Sequence, residues 1–211
     1  MFYTDKVNNE LRFGDVLSWG ILAAPHVEYK PSNPLENNFK LDVNFPEFSV
    51  VITPCCSIDD KTICLTPLIR VMYNFFDNPY FAEDLTRINR KMKPENTVKP
   101  EIWERFPQEQ KDKRLLEGSQ YGLLEFFIYE ENELLPLYSL KRKGNADTIK
   151  TNYYMIDFRN VYKLTSKNFR APKGALLQSK ILELTPQTRE ELRRKVGNYY
   201  IRIPNEDKCF L

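Results

Sequence analysis

Cysteine and histidine are the residues of this sequence that most readily suggest metal chemistry. Cys55, Cys56 and Cys64 lie within one short stretch, and His26 is the only histidine. Thiolate and imidazole groups are the usual protein ligands of zinc. Adjacent cysteines on a strand point to opposite faces, however, and the sequence contains no C-x2-C pair. We therefore predict no metal site and a structural role for these cysteines.

His26 is also a candidate general base, because imidazole titrates near neutral pH. It follows Pro25 and precedes a polar stretch from Lys30 to Asn38, in which Pro31 and Pro34 exclude regular structure. A catalytic base must be held in place by a partner, and the sequence shows none for His26. We predict a solvated loop residue.

Basic side chains form two compact clusters. Lys141, Arg142 and Lys143 precede Gly144 at a predicted turn, where they could contact phosphates while Tyr138 stacks on a base. The second cluster lies near the C-terminus among glutamates, a pattern more typical of a solvated helix face. Its members are Arg189, Arg193, Arg194 and Lys195, beside Glu190 and Glu191.

The segment from Thr86 to Arg114 carries a local basic surplus, with nine Lys and Arg against five Asp and Glu. Trp103 and Phe106 are interleaved with these charges, which suits an acidic partner, either protein or RNA. The alternative is a lid that only covers the sheet. The predicted contact residues of both regions are Arg87, Arg90, Lys91, Trp103, Lys141, Arg142 and Lys143.

Composition restricts the class of protein. The chain has 211 residues, a net charge of +2, 42% hydrophobic and 13% aromatic residues, so it is too apolar for a disordered protein and not basic overall. We find no signal-peptide pattern and no apolar run long enough to cross a membrane. We expect a cytoplasmic protein with no cofactor.

The elements that position these residues are mostly strands. Val50 to Leu68 predicts a β-hairpin with its turn at Asp59 to Lys61. Further strands are expected at 121–129, 134–140 and 153–164, the first two forming another hairpin. Apolar spacing predicts helices over 80–93 and 100–106, and Thr185-Pro186 predicts the start of a C-terminal helix.

Several short motifs together resemble the MazF/PemK toxin family. They are Gly14-Asp15-Val16, Val50-Val51-Ile52-Thr53-Pro54, Cys64-Leu65-Thr66-Pro67 and the segment from Pro186 to Tyr200. The resemblance implies an α+β fold: an SH3-type β-barrel with a C-terminal helix, typically dimeric. It also implies a single domain over residues 1–211, with a helical or irregular insertion at about 72–120.

The resemblance further implies metal-independent cleavage of single-stranded RNA, but key residues depart from the family pattern. Glu47 and Phe48 occupy the positions of the catalytic Arg-Pro pair, and a carboxylate would repel the phosphate. Leu68 follows Pro67 where the family has a hydroxyl. The remaining candidates for catalysis are Arg70, as the cation, with Thr53 or Thr66 as the hydroxyl.

These departures favour a catalytically degenerate protein. We expect a regulatory binding subunit that holds a partner protein, antitoxin-like or transcription-regulatory, in a prokaryotic stress-response or defence system. One alternative is a metal-independent, sequence-selective endoribonuclease toxin. Another is a module that binds single-stranded RNA without cleaving it. A homodimer is compatible with each.

Overall fold

The structure is a computed structural model that describes residues 1–18, 20, 22–28, 38–54, 62–142, 147–165 and 175–201, with only the backbone for 23–28, 38–42 and 175. It is a mixed α+β structure with antiparallel sheets, in agreement with the predicted class. The chain divides into two compact units. The first comprises residues 1, 3–68 and 160–184, and the second comprises residues 2, 69–159 and 185 onward.

Twelve strands and five α-helices lie within the described ranges. The strands are β1 (Val16–Leu17), β2 (Leu22–Glu28), β3 (Asn38–Asn44), β4 (Ser49–Val51), β5 (Thr62–Pro67), β6 (Ile69–Arg70), β7 (Phe126–Tyr129), β8 (Tyr138–Lys141), β9 (Thr148–Thr151), β10 (Tyr154–Asp157), β11 (Tyr162–Thr165) and β12 (Lys180–Leu182). The helices are α1 (Pro79–Ala82), α2 (Pro100–Arg105), α3 (Gln108–Glu117), α4 (Ala175–Gln178) and α5 (Pro186–Tyr200). Three 3-10 helices occupy Tyr73–Asp77, Leu85–Asn89 and Pro94–Thr97.

The first unit contains a five-stranded antiparallel sheet in the order β11-β5-β4-β1-β12. β4 and β5 pair with Val51 opposite Leu65, which confirms the predicted hairpin; its predicted turn lies outside the described residues. Apolar side chains from the sheet form a core with α4, including Leu17, Ile63 and Leu176. β11 and β12 are the sheet's edges, so no barrel closes within the described ranges.

The first unit also contains a two-stranded ribbon of β2 and β3. His26 lies within β2, with its backbone opposite Lys40. The prediction of a loop at His26 is therefore wrong, because pairing with β3 extends the chain through Pro25. Most of the Lys30 to Asn38 stretch lies outside the described residues.

The second unit contains the sheet β6-β10-β7 and the separate ribbon β8-β9. The predicted pairing of β7 with β8 is wrong, since β7 pairs with β10, with Phe127 opposite Ile156. Both strands are buried along their whole length, and a partner distant in sequence buries them better than the exposed, Pro-containing segment after β7. The expected strand at 153–164 is divided between β10 and β11, which belong to different sheets.

The helix predicted over 80–93 is broken. α1 ends at Ala82, and Asp84 adopts an extended backbone while its carboxylate accepts a hydrogen bond from the Thr86 N–H at 2.9 Å. This side-chain bond starts a separate 3-10 helix in place of a continued α-helix. The predicted helix from Pro100 is confirmed as α2.

The C-terminal helix is confirmed as α5. Thr185 accepts a hydrogen bond from the Thr188 N–H at 3.3 Å, and Pro186 occupies the first helical position. Leu192 is fully buried on its inner face. The predicted insertion at 72–120 lies in the second unit, together with strands β7 to β10 and this helix.

Candidate functional site

The two threonines predicted to supply a catalytic hydroxyl are both buried in the first unit. Thr53 accepts a hydrogen bond from the Cys64 N–H at 2.6 Å, which ties the chain after β4 to β5. Thr66 lies opposite Val50 in the middle of the sheet and is fully buried. Both positions hold the strands together.

Arg70, the predicted cation, is exposed on β6 in the second unit. Its guanidinium carbon lies 5.1 Å from the centre of the Tyr138 ring. The predicted catalytic residues are therefore divided between the two units. Glu47, which the resemblance aligns with a catalytic arginine, is exposed in the first unit.

The predicted stacking residue Tyr138 is buried, 7% exposed. Its ring packs against Tyr154 with centroids 5.3 Å apart. Its hydroxyl accepts a hydrogen bond from the Val71 N–H at 2.9 Å and donates to the Tyr153 carbonyl oxygen. The stacking role is therefore wrong, because both ring and hydroxyl are occupied inside the protein.

Several predicted partner-binding cations have acidic or aromatic neighbours within the second unit. Arg87 Nη1 lies 2.6 Å from Glu83 Oε2, and Arg90 Nε lies 3.1 Å from Glu191 Oε1. Lys91 Nζ lies 5.9 Å from the centre of the Tyr121 ring. Much of the basic surplus seen in the sequence is thus neutralised locally.

The predicted cluster of Lys141, Arg142 and Lys143 is also partly neutralised. Arg142 Nη2 lies 3.7 Å from Asp77 Oδ1, and Lys99 Nζ lies 2.8 Å from Asp77 Oδ2. These neighbours lower the pKa of Asp77, chiefly through the hydrogen bond from Lys99. Lys141 is exposed. Lys143 lies outside the described residues.

Residues 99–120, which we call the helical arm, contain α2 and α3 and bury no side chain. Trp103 is half-buried against Phe106, with ring centroids 5.9 Å apart, and the Arg114 guanidinium carbon lies 4.7 Å from the Phe106 ring centre. At the end of the arm, Gln120 forms a backbone bridge with Met92. The arm is therefore held mainly by contacts within itself.

The helical arm presents apolar side chains to solvent. Leu116 is 88% exposed, and Ile102 and Leu115 are also exposed. Leu116 lines a shallow depression whose other side chains are charged, namely Glu109, Asp112, Lys113 and Glu117. The arrangement is a small apolar centre with a predominantly acidic rim.

The sequence did not predict a buried charge cluster in the first unit. Lys180 Nζ lies 2.7 Å from Asp15 Oδ2 and 2.8 Å from Glu183 Oε2. Asp15 Oδ1 is buried and has no hydrogen-bond partner among the described residues. Lys180 and Leu182 both lie on the inward side of β12. A lysine two residues before a buried leucine on a strand is the feature of the sequence that could have indicated this cluster.

The two carboxyls of this cluster have opposite pKa shifts. Burial raises the pKa of Asp15 to about 6, although hydrogen bonding to Lys180 opposes the change. Burial also acts on Glu183, but hydrogen bonds from Lys180 and from the Asn8 backbone and side chain outweigh it and lower its pKa to about 2. The shifts differ because burial dominates at Asp15, whereas Glu183 accepts hydrogen bonds from Asn8 as well as from Lys180.

Lys195 on α5 is a second buried ionisable group that the sequence did not predict. Its Nζ donates a hydrogen bond to the Ile88 carbonyl at 2.5 Å and lies 5.4 Å from the Tyr121 ring centre. Burial lowers its pKa well below the usual range, and Glu125 only partly opposes this. The basic residues of the C-terminal helix were expected to form a solvated face. This expectation is wrong for Lys195 and Arg189, because both are buried on the inner side of α5.

Comparison of the chain with protein-family models, curated proteins and solved structures found no match. Among the described helices, none is long and apolar enough to cross a membrane. Within the described parts of the chain, the candidate surface with the clearest physical signature is the helical arm, because its two helices keep all their side chains outside the core.

Proposed function

We propose that the protein is a catalytically degenerate relative of the MazF/PemK type, with an SH3-like first unit, whose helical arm binds a partner protein. The partner is antitoxin-like or transcription-regulatory, and the setting is a prokaryotic stress-response or defence system. The observation that carries the binding role is the helical arm itself, with two helices and no buried side chain.

The lack of catalysis follows from the chemistry of the candidate residues. Glu47 would bring a carboxylate, not a cation, to the phosphate, and like charges at close range repel. The Thr53 hydroxyl already accepts the hydrogen bond from the Cys64 N–H. A catalytic hydroxyl must reach the substrate, and burial keeps Thr53 and Thr66 from it.

The binding role follows from the energetics of short helices. Isolated helices shorter than about 12–15 residues are marginal in water, and α2 and α3 have 6 and 10 residues. Docking of a partner would remove Leu115 and Leu116 from water, and burial of a leucine side chain stabilises by roughly 1.5–3 kcal/mol. The arm thus gains stability when a partner covers it.

The side chains around Leu116 also indicate which charges and apolar groups the partner should carry. The rim around Leu116 carries three carboxylates and one ammonium group, from Glu109, Asp112, Glu117 and Lys113. Complementary charge favours a basic rim on the partner, around an apolar side chain that meets Leu116. This differs from the acidic partner predicted from the sequence, because many basic residues are already paired.

The test is affinity purification of the tagged full chain from its native cells, comparing wild type, Leu116→Glu and Leu137→Glu. Leu116 and Leu137 are 88% and 73% exposed, so neither change should affect folding, and Leu137 is the matched control outside the arm. We expect one stoichiometric protein with wild type and Leu137→Glu.

The affinity of the purified partner should then fall by at least about 10-fold for Leu116→Glu, as expected when a central interface residue is lost. A partner that binds all three chains equally would contradict the assignment to the arm. Recovery of the wild-type chain alone would contradict the binding role.

A further inference from the structure

The ribbon of β8 and β9 has two chemically different faces. Side chains alternate along each strand, and those of Tyr138, Leu140, Ile149 and Thr151 lie on the buried or half-buried side. The opposite side is exposed and consists of Ser139, Lys141, Thr148 and Lys150. This outward face therefore carries two ammonium groups, two hydroxyls and no carboxylate.

Strand register brings the two lysines close together. Lys141 pairs with Thr148, and Ser139 pairs with Lys150. The lysines are thus diagonal neighbours across the ribbon, about 7–8 Å apart at their backbones. Two like charges at this spacing repel each other, and an anion placed between or above them would relieve the repulsion.

The structure pairs many other cations of the second unit with carboxylates, for example Arg159 with Asp157 at 2.7 Å and Arg193 with Glu190 at 2.7 Å. Lys141 and Lys150 have no such partner among the described residues. Arg142, at the end of the ribbon, is directed towards Asp77. The outward face is therefore a locally unneutralised cationic surface.

We propose that the outward face of the β8-β9 ribbon binds duplex DNA. Lysine, serine and threonine side chains all serve as phosphate contacts in protein–DNA interfaces. A two-stranded ribbon of four-residue strands is about 13 Å long, and the DNA major groove, about 12 Å wide, admits a ribbon of two strands.

The chemistry of the face favours this occupant over others. A protein interface usually has an apolar or aromatic centre, and an interfacial membrane segment inserts apolar side chains; the outward face has neither. Proteins that bind single strands without sequence preference stack bases on exposed aromatic rings, whereas the ribbon's one aromatic residue, Tyr138, is buried.

The test is fluorescence anisotropy of a short random-sequence duplex DNA with the full chain, between about 50 and 200 mM salt. Two phosphate contacts correspond to a slope of log K against log salt of about −1.8. This is a loss of affinity of about 12-fold over that range. The variant is Lys141→Gln/Lys150→Gln, and the control is Lys93→Gln/Lys163→Gln, which removes the same charge at exposed positions outside the ribbon.

We expect the ribbon variant to bind at least about 10-fold more weakly at the lowest salt and to lose most of the salt slope, with the control unchanged. Equal losses in both variants would assign binding to net charge and overturn the proposal. So would the absence of binding by wild type at low salt, or tighter binding of a single strand of equal length. Leu116→Glu should leave DNA binding intact, which separates this proposal from that of the helical arm.

Discussion

Lys180 Nζ lies 2.7 Å from Asp15 Oδ2, and both side chains are almost completely shielded from solvent. Lys180 also contacts Glu183, so one ammonium group serves two buried carboxyls. It donates a further hydrogen bond to the Glu10 carbonyl at 2.7 Å. This cluster joins the loop before β1 to β12 within the first unit.

Removing the ammonium group should destabilise the protein strongly. We expect Lys180→Met to lower the free energy of unfolding by about 3–5 kcal/mol, because it leaves Asp15 buried without its counter-charge. Glu183 would keep its ion pair with Arg12, whose Nη1 lies 3.4 Å from Glu183 Oε1. Urea denaturation measures this change. Lys163→Met is the control, since Lys163 is exposed on β11 of the same unit. A loss for Lys180→Met no larger than that of the control would contradict the role of the cluster.

Asp15 should make stability fall as pH rises. Its pKa in the folded protein is about 6, above the ordinary value of 3.8, so the folded state binds the proton more tightly than the unfolded state. Its contribution is complete below about pH 4 and lost as pH rises through 6. The loss amounts to at most about 3 kcal/mol.

Asp15→Asn removes this titration and leaves the side-chain shape unchanged. Urea unfolding between about pH 4 and 7 should show wild type losing stability relative to Asp15→Asn. Glu183 acts in the opposite sense, since its pKa of about 2 makes stability fall only as pH drops below 4.5. Parallel stability profiles of the two proteins between about pH 4 and 7 would show that the pKa of Asp15 is not raised in the folded protein.

Lys195 should make stability rise with pH in the alkaline range. Its pKa in the folded state lies well below the ordinary value of 10.5, so between these two values the unfolded state binds more protons. The free energy of unfolding therefore increases with pH up to about 10.5. Lys195→Met removes the buried amine and its titration, and should therefore flatten this dependence.

The measurement is urea unfolding of wild type and Lys195→Met between about pH 7 and 10. The control Lys113→Met changes an exposed lysine of the second unit and should retain the wild-type slope. If Lys195→Met retained that slope as well, Lys195 would have to be charged and solvated in the folded protein.

Long single-stranded RNA incubated with the protein in EDTA should remain intact, because the candidate hydroxyls of Thr53 and Thr66 are buried and the proposed family relationship puts the carboxylate of Glu47 where a cation would be needed. Mapping of RNA ends checks this. Discrete cuts that decrease about 100-fold in Arg70→Ala, the scale expected for loss of a charge-stabilising group, would instead support an endoribonuclease built on Arg70.

Local sequence patterns predicted several elements correctly. The β4-β5 hairpin follows from β-branched residues on either side of a polar turn, and α5 follows from Thr185 and Pro186 at its start. The start of α2 was predicted in the same way, from Pro100 at its first position. In each case the decisive interactions join residues that are close in sequence.

The pairing of β7 was not predictable in the same way. A hairpin with β8 was the local choice, but β7 is a fully buried strand and needs a partner that is also buried. β10 meets this requirement although the whole β8-β9 ribbon lies between the two in sequence. The burial of Tyr138 was also not predictable locally, because its hydroxyl accepts a hydrogen bond from the Val71 N–H, which is distant in sequence.

The sequence by itself determined the α+β class, the β4-β5 hairpin and the C-terminal helix, because these depend on backbone preference and capping over a few residues. Only the tertiary structure decided which charges are buried, paired or free. Lys195 is buried against the Ile88 carbonyl and the Tyr121 ring. Lys180 forms an ion pair with Asp15, which is distant in sequence, and Lys141 remains exposed. Solvation and ion pairing depend on neighbours that folding brings from distant parts of the chain, so identical side chains acquire different chemistry.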